Sequence, residues 1–163
     1  LTVLSPCEGS DDLPSRQDVQ IMGRVLKFQE DRKGDTRKIA LIYNPASPTS
    51  YREAATLNTF LGSGQAIGSL TLSGVLIEQD KAGALEGYDA IFSAVETDSG
   101  RLRSAMRRHE VPCITREVDQ VSQGACIVAI QTSPNTAIFF SSTNAAAAGV
   151  RFATAFIMMV REL

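Results

Sequence analysis

Short polar side chains crowd one point of the sequence, where the apolar segment 38–43 (KIALIY) gives way to the segment 43–51 (YNPASPTSY). Hydroxyl and amide groups beside the first turn of a helix, whose backbone N–H groups lack partners, can hold a carboxylate or a phosphate. The same residue types also suit a structural role, because Asn-Pro is a turn signal and serine is a common helix N-cap. Both interpretations stay open. The residues concerned are Tyr43, Asn44, Ser47, Thr49 and Ser50.

Further polar residues follow two later apolar segments, 88–95 (YDAIFSAV) and 111–115 (VPCIT). If these segments are parallel strands, their carboxyl ends lie at one edge of the sheet, where ligands bind in open α/β folds. An arginine next to hydroxyl groups could complete an anion site there. Polar residues are equally ordinary at the rim of a sheet that binds nothing. The residues concerned are Ser93, Glu96, Thr97, Thr115, Arg116 and Glu117.

The sequence carries no pattern for catalysis, for a cofactor or for a metal. It has a single histidine, His109, and no G-x-S-x-G nucleophile motif or paired carboxylates,. It also lacks G-x-G-x-x-G and G-x-x-x-x-G-K-[ST], the usual phosphate-binding loops of nucleotide sites,. We therefore predict a protein that is not an enzyme and that uses no cofactor and no metal.

The three cysteines have no metal-binding spacing,. Cys113 and Cys126 fall in segments that resemble neighbouring strands, so a disulfide between them is geometrically conceivable. Two buried free thiols are an equally good interpretation. Cys7 lies in a polar leader and would be left over.

Strand-like and helix-like segments alternate along the chain, which predicts an α/β fold with a mostly parallel sheet and helices on both faces. We expect a single-domain, flavodoxin-like or Rossmann-like three-layer sandwich over residues 15–163, preceded by a flexible leader, residues 1–14. The end of the sheet should be an antiparallel hairpin, because TSPN separates two apolar segments there. The strand segments are 38–43, 70–78, 88–95, 111–115, 125–131 and 137–142; the helical ones are 15–28, 50–64, 99–110 and 143–162, with one or two helical turns in 80–87.

The charge and hydropathy of the chain exclude two classes of partner. The net charge is −2 with no basic excess, which argues against nucleic acid,. The longest apolar stretch, near 143–160, is short for a membrane span and contains Arg151, so we expect no membrane insertion,. Because the chain begins at Leu1 rather than Met, we expect a processed or trimmed product, from which a signal peptide could have been removed,.

Two helices have apolar faces that suit either the core or a protein partner. The first helix places apolar residues at three- and four-residue spacing, and the last combines small residues with two methionines,. Met-rich faces adapt to partners, so a homodimer or another protein partner is a possible occupant of these faces. The predicted interface residues are Val19, Met22, Val25, Leu26, Phe156 and Met159.

The segment 39–64 (IALIYNPASPTSYREAATLNTFLGSG) resembles the opening of one lobe in the periplasmic substrate-binding proteins of ABC transporters. There a strand ending in V-x-Y-N-P is followed by serine and a helix. This resemblance implies a small-ligand binding module for an anion or an amino-acid-like molecule.

The order of elements over residues 19–163 is similar to that of the YfiR-like periplasmic regulators. The family's G-x-I-x-F strand, V-x-F-x-I-N strand and A-A-x-x-x-G helix start correspond to 124–128 (GACIV), 137–141 (AIFFS) and 145–150 (AAAAGV). This resemblance implies a periplasmic, non-enzymatic regulator that controls an inner-membrane signalling enzyme, often a diguanylate cyclase, by protein–protein contact. An oxidising compartment would favour the Cys113–Cys126 disulfide.

Overall fold

Eight strands form a single sheet in the computed structural model, which describes residues 13–163. Most of the expected leader, including Cys7, lies outside the described residues. The strands are β1 (Thr36–Tyr43), β2 (Gln65–Ile67), β3 (Leu70–Glu78), β4 (Ala90–Ser93), β5 (Cys113–Thr115), β6 (Val128–Gln131), β7 (Ala137–Phe140) and β8 (Arg161–Glu162). The helices are α1 (Arg16–Lys27), α2 (Pro48–Leu61), α3 (Ser99–His109), α4 (Val118–Ser122), α5 (Ser142–Ala148) and α6 (Thr154–Met159), with a 3-10 turn at Gln79–Lys81.

The strand order across the sheet is β2-β3-β1-β4-β5-β6-β7-β8. The five central strands, β3, β1, β4, β5 and β6, are parallel, and β2 and β7 are antiparallel to their neighbours β3 and β6. The chain order of the parallel strands therefore reverses between β1 and β4, as in flavodoxin-like folds. The predicted α/β sandwich, with its mostly parallel sheet and its antiparallel hairpin, is confirmed.

The central strands are buried because their side chains are apolar on both faces. Strand β1 has the burial pattern of a strand covered by helices on both sides, with Ile39, Leu41 and Ile42 fully buried,. Helix α2 begins where Ser47 caps it, through a hydrogen bond of 3.1 Å from the Ser50 N–H to the Ser47 hydroxyl,. The carboxyl ends of the parallel strands thus face the start of α2.

The predicted single C-terminal helix over 143–162 is wrong. Helix α5 ends at Gly149, which has the left-handed φ of 72°, and the Val150 N–H closes the turn on the Ala145 carbonyl at 3.0 Å,. The chain then runs extended, and Phe152 pairs with Gln29 in an isolated bridge before α6 begins. The run of alanines favours helix, but one glycine C-cap stops it.

Most of the predicted partner interface is core, which corrects that prediction. The α1 residues Val19, Met22, Val25 and Leu26 have no exposed surface, because α1 packs its apolar face on the sheet and on α2. Phe156 is buried against three other phenylalanine rings. Met159 alone of the predicted set is exposed, by 64%.

The two cysteines Cys113 and Cys126 form a disulfide in the structure, with their Cα atoms 4.5 Å apart. The bond joins the first residue of β5 to the segment just before β6. Both residues are fully buried. The bond therefore fixes neighbouring strands at their amino ends, away from the edge where β5 and β6 end.

Gly74 in β3 leaves the space into which α2 packs. A Cβ atom at this position would lie 2.8 Å from the Asn58 Oδ1 and from the Leu61 Cδ1, and 2.9 Å from the Leu41 Cδ1. Overpacking of this kind costs roughly 1–3 kcal/mol.

We expect Gly74→Ala to lower the free energy of unfolding by that amount in urea titrations. Gly83→Ala is the matched control, because a Cβ there meets nothing within 4 Å; equal effects of the two substitutions would contradict the packing argument.

Candidate functional site

The polar residues after β1 are mostly occupied in building their own loop. The Asn44 side chain accepts from the Ala46 N–H at 2.9 Å and donates to the Glu96 carbonyl at 2.8 Å. The Ser47 hydroxyl caps α2 and donates to the Glu96 carboxylate. The buried Ser50 hydroxyl accepts from the Asn44 N–H at 2.9 Å. Forming the turn and capping α2, the structural role considered for this segment, therefore accounts for Asn44, Ser47 and Ser50.

The hydroxyl groups at the ends of β4 and β5 are likewise turned inward. Ser93 and Thr115 are fully buried. The Ser93 hydroxyl shares a hydrogen bond of 2.7 Å with Thr97, and the Thr115 hydroxyl accepts from the Glu117 N–H at 3.1 Å. These groups hold the loops at the carboxyl edge of the sheet in place.

A cleft of about 540 Å³ opens beside these loops, at the carboxyl ends of β4, β5 and β6. We call it the carboxyl-edge cleft. Helix α2 and the start of α1 form its other side. Its polar lining residues include Ser15, Gln17, Thr49, Arg52, Glu53, Arg116, Glu117, Gln131, Thr132 and Ser133.

Three charges from three elements meet at the wall of the cleft. The Arg116 Nη1 lies 2.6 Å from the Glu53 Oε2, and the Arg116 Nε lies 3.7 Å from the Asp18 Oδ2. The exposed fraction of the side chain is 15% for Arg116, 4% for Glu53 and 1% for Asp18. Arg116 is thus the most exposed member of this charge cluster.

Asp18 and Glu53 differ in the number of hydrogen bonds that they accept from uncharged donors. Asp18 accepts from the Ser15 N–H at 2.7 Å and from the Thr132 hydroxyl at 3.3 Å. Glu53 accepts a single backbone hydrogen bond, from the Val95 N–H at 2.8 Å, and otherwise depends on Arg116. If Arg116 binds another group, the negative charge of Glu53 therefore loses more of its stabilisation than that of Asp18 does.

Burial raises the pKa of Glu53 above its ordinary value of 4.5,. The nearby Arg116 charge and the hydrogen bonds from Val95 and Arg116 lower the pKa, and the Glu117 carboxylate raises it. The cost of burial exceeds the gain from the ion pair, so the pKa of Glu53 stays raised in the folded protein.

The structure brings only part of the predicted ligand site together. Thr49 and Arg116 line the carboxyl-edge cleft. Tyr43 instead lines a separate cavity of about 730 Å³ with Glu78 and Tyr88. Burial, followed by the charge of Glu78, raises the pKa of the Tyr43 hydroxyl. Tyr43 therefore belongs to a different surface from Arg116.

Sequence reasoning missed Glu53 and Asp18. Glu53 falls on the buried stripe of α2, one residue before Ala54 and four before Leu57. A carboxylate at such a position needs a cation, which is a signal that the sequence does contain. Asp18, three residues after Ser15, fits a capping box,. This helix-capping role explains the residue by itself, so the sequence did not indicate its ion pair with Arg116.

Residues 13–163 contain neither a membrane-spanning helix nor a metal-binding cluster. No helix in this range is long and apolar enough to cross a membrane. No group of three or more His, Cys, Asp or Glu residues in the same range could hold a metal ion.

The fold is shared with solved structures, although no protein-family model and no curated protein matches the sequence. A conserved domain protein from Vibrio cholerae O1 biovar eltor has a TM-score of 0.59 and 12% identity, covering 92% of this chain and 60% of its own. An ABC domain from Streptococcus pneumonia, in complex with L-Trp, has a TM-score of 0.62 and 9% identity, covering 92% of this chain and 62% of its own. The chain thus spans about three fifths of each of these structures, and the likeness shows that it has their α/β fold.

The raised pKa of Glu53 predicts how stability depends on pH. Between 4.5 and the folded-state pKa, the native protein binds more protons than the unfolded chain, so stability falls as the pH rises through this window,. We expect the free energy of unfolding of the wild type, relative to Glu53→Gln, to decrease over that range and to be constant above it. Urea titrations at a series of pH values measure this difference. A difference that increased with pH would contradict the stated balance of burial against ion pairing.

Proposed function

We propose that this chain is a non-enzymatic small-molecule binding module, related to one lobe of an ABC-transporter substrate-binding protein, and that it acts in the periplasm. Its ligand is a small anion or an amino-acid-like molecule that carries a carboxylate. The observation that carries this proposal is the partly exposed Arg116 side chain in the lining of the carboxyl-edge cleft.

The position and size of the cleft support the proposal. Ligands of open α/β folds bind beyond the carboxyl ends of the strands, and the cleft lies there. Its volume, about 540 Å³, is in the usual range for small-molecule sites,. The ABC domain with the same fold was solved with an amino acid bound, which makes amino acids the first class to test.

The chemistry of the lining supports a ligand with both an anionic and a polar end. The Arg116 guanidinium is planar, and its N–H groups have the geometry that suits a carboxylate. Thr49, Gln131 and Thr132 supply hydroxyl and amide groups in the same lining, and Glu117 adds a negative charge, which attracts an ammonium group. An α-amino acid presents both charges within a few ångströms.

A substitution that fills the cleft tests this assignment. Thr49 is exposed and lines the cleft, so Thr49→Trp should block the ligand while leaving the fold intact. We expect the dissociation constant for the best ligand among the twenty L-amino acids and small carboxylates to rise at least about tenfold, or 1.4 kcal/mol. Isothermal titration calorimetry measures it.

Thr59→Trp is the matched control for this experiment. Thr59 is an exposed threonine on the same helix, ten residues further along, and it is not among the cleft residues. Its substitution should leave affinity unchanged. If no member of the panel bound to the wild type, or if both substitutions weakened binding equally, the assignment of the cleft would be wrong.

A second candidate function, regulation of another protein by surface contact, is favoured by a different observation. The C-terminal apolar patch, defined as Ile157, Met158, Met159 and Leu163, is exposed by 41%, 81%, 64% and 47%. Exposed apolar residues grouped in this way are typical of protein-contact surfaces. The resemblance to YfiR-like regulators implies an inner-membrane signalling enzyme or a second copy of the chain as the partner.

Self-association is the part of this candidate that can be measured directly. If the C-terminal apolar patch forms a homodimer, sedimentation velocity should show a dimer that dissociates on dilution. Met158→Glu combined with Met159→Glu should abolish it, because a buried carboxylate without a partner is costly. Val75→Glu, at an exposed apolar position on β3, is the control and should leave the dimer intact. A wild type that sediments as a monomer at all concentrations would exclude the homodimer.

A further inference from the structure

We propose, on the basis of the proposed binding function, that the ligand's carboxylate displaces Glu53 from the Arg116 guanidinium and that Glu53 takes up one proton from solvent as the ligand binds. The ligand is therefore an anion recognised through exchange of one carboxylate for another. Binding is coupled to protonation of the protein.

The first step of the argument is which group the ligand can reach. Arg116 exposes 15% of its side chain in the cleft, whereas Glu53 exposes 4%. Both oxygens of Glu53 are occupied, Oε1 by the Val95 N–H and Oε2 by Arg116. A ligand anion that enters the cleft is therefore attracted to Arg116, which is the more exposed member of the pair and carries the opposite charge.

The second step is the charge that results. Asp18, Arg116 and Glu53 together carry a net charge of −1 when all three are ionised. A ligand carboxylate placed on Arg116 brings that total to −2 around one partly buried cation. Like charges within a few ångströms repel strongly where water is scarce, so one carboxylate must be neutralised.

The third step is which carboxylate accepts the proton. Asp18 keeps its hydrogen bonds from Ser15 and Thr132, which do not depend on Arg116. Glu53 keeps only the hydrogen bond from the Val95 N–H to its Oε1. Its other oxygen, Oε2, loses the guanidinium and is free to carry the proton. Burial already favours the neutral form of Glu53.

Two further charged groups of the described chain surround the site. Arg52, on the exposed side of α2, adds a positive charge to the cleft lining. Glu117, which follows Arg116, adds a negative charge that favours protonation of Glu53. The walls formed by Gln131 and Thr132 carry no charge. Arg52 is exposed and screened by solvent, so it offsets the added negative charge only weakly.

Calorimetry in buffers of different ionisation enthalpy tests this proposal. The probe is L-tryptophan, with L-tryptophan amide, which lacks the carboxylate, as its partner. For L-tryptophan we expect an uptake approaching one proton per bound ligand at pH values between the pKa of Glu53 in the free protein and its higher pKa in the complex. Within that window the dissociation constant should rise about tenfold per pH unit. L-tryptophan amide should bind much more weakly and without proton uptake.

Two variants identify the group that is protonated. With Glu53→Gln, the uptake should vanish and the affinity should become independent of pH, because the titrating group is gone. With Glu86→Gln, which removes an exposed carboxylate outside the cleft lining, the uptake should persist. A purely structural role of Glu53 would change affinity without changing the slope against pH.

The possible outcomes separate this proposal from the one on which it rests. If L-tryptophan or another amino acid binds with no proton uptake at any pH between 5 and 9, the exchange is wrong and the binding function stands. If uptake persists in Glu53→Gln, Glu53 is not the acceptor, and the exchange is again overturned. If no amino acid and no small carboxylate binds, both proposals fail.

Discussion

The buried charge of Glu53 is the constraint on which the arrangement of the cleft depends. A carboxylate with 4% of its side chain exposed needs a cation within direct contact, and Arg116 is that cation,. Because Glu53 is on α2 and Arg116 follows β5, their ion pair fixes the helix against the carboxyl ends of the strands. Asp18 then ties α1 to the same guanidinium. Three elements from distant parts of the sequence thus meet at one side chain.

The carboxyl edge of the sheet uses its polar residues in two different ways. After β1 the polar side chains form hydrogen bonds within their own loop and with Glu96, so they hold that loop together. After β5 and β6 they surround a cleft, and the partly exposed Arg116 side chain lines it. The partly exposed cation, rather than the number of hydroxyl groups, therefore distinguishes the part of the edge that can bind an anion from the part that only supports it.

Much of the fold could be predicted from the sequence, because its central strands are continuous apolar segments separated by helical periodicity. The elements that were missed are short ones: β2, α4 and β8 have three, five and two residues, too few to show a period. The one or two helical turns predicted for 80–87 correspond to a single 3-10 turn at Gln79–Lys81, which overlaps the start of that segment. The alanine-rich end was predicted as one helix because propensity alone does not reveal a glycine C-cap.

The site was less predictable than the fold, for a related reason. Arg116 could be found because a residue after a strand lies at the carboxyl edge. Glu53 was missed because a glutamate in a helix is ordinarily exposed, and its position on the apolar stripe of α2 was the one signal of its burial,. The apolar face of α1 was ambiguous in the same way: Val19 and Met22 suit a partner or a core equally until the packing of the helix is known.

The long-range polar contacts of the cleft also bear on the order in which the chain folds. Glu53 and Arg116 are 63 residues apart, and Asp18 and Thr132 are 114 residues apart. Contacts over such separations cost chain entropy and form after local structure, so the cleft is completed only when β6 has joined the sheet. During synthesis, α1 and α2 leave the ribosome long before their partner Arg116 does. The ability to bind a ligand is therefore acquired late by the nascent chain, together with β6, the last of its five central parallel strands.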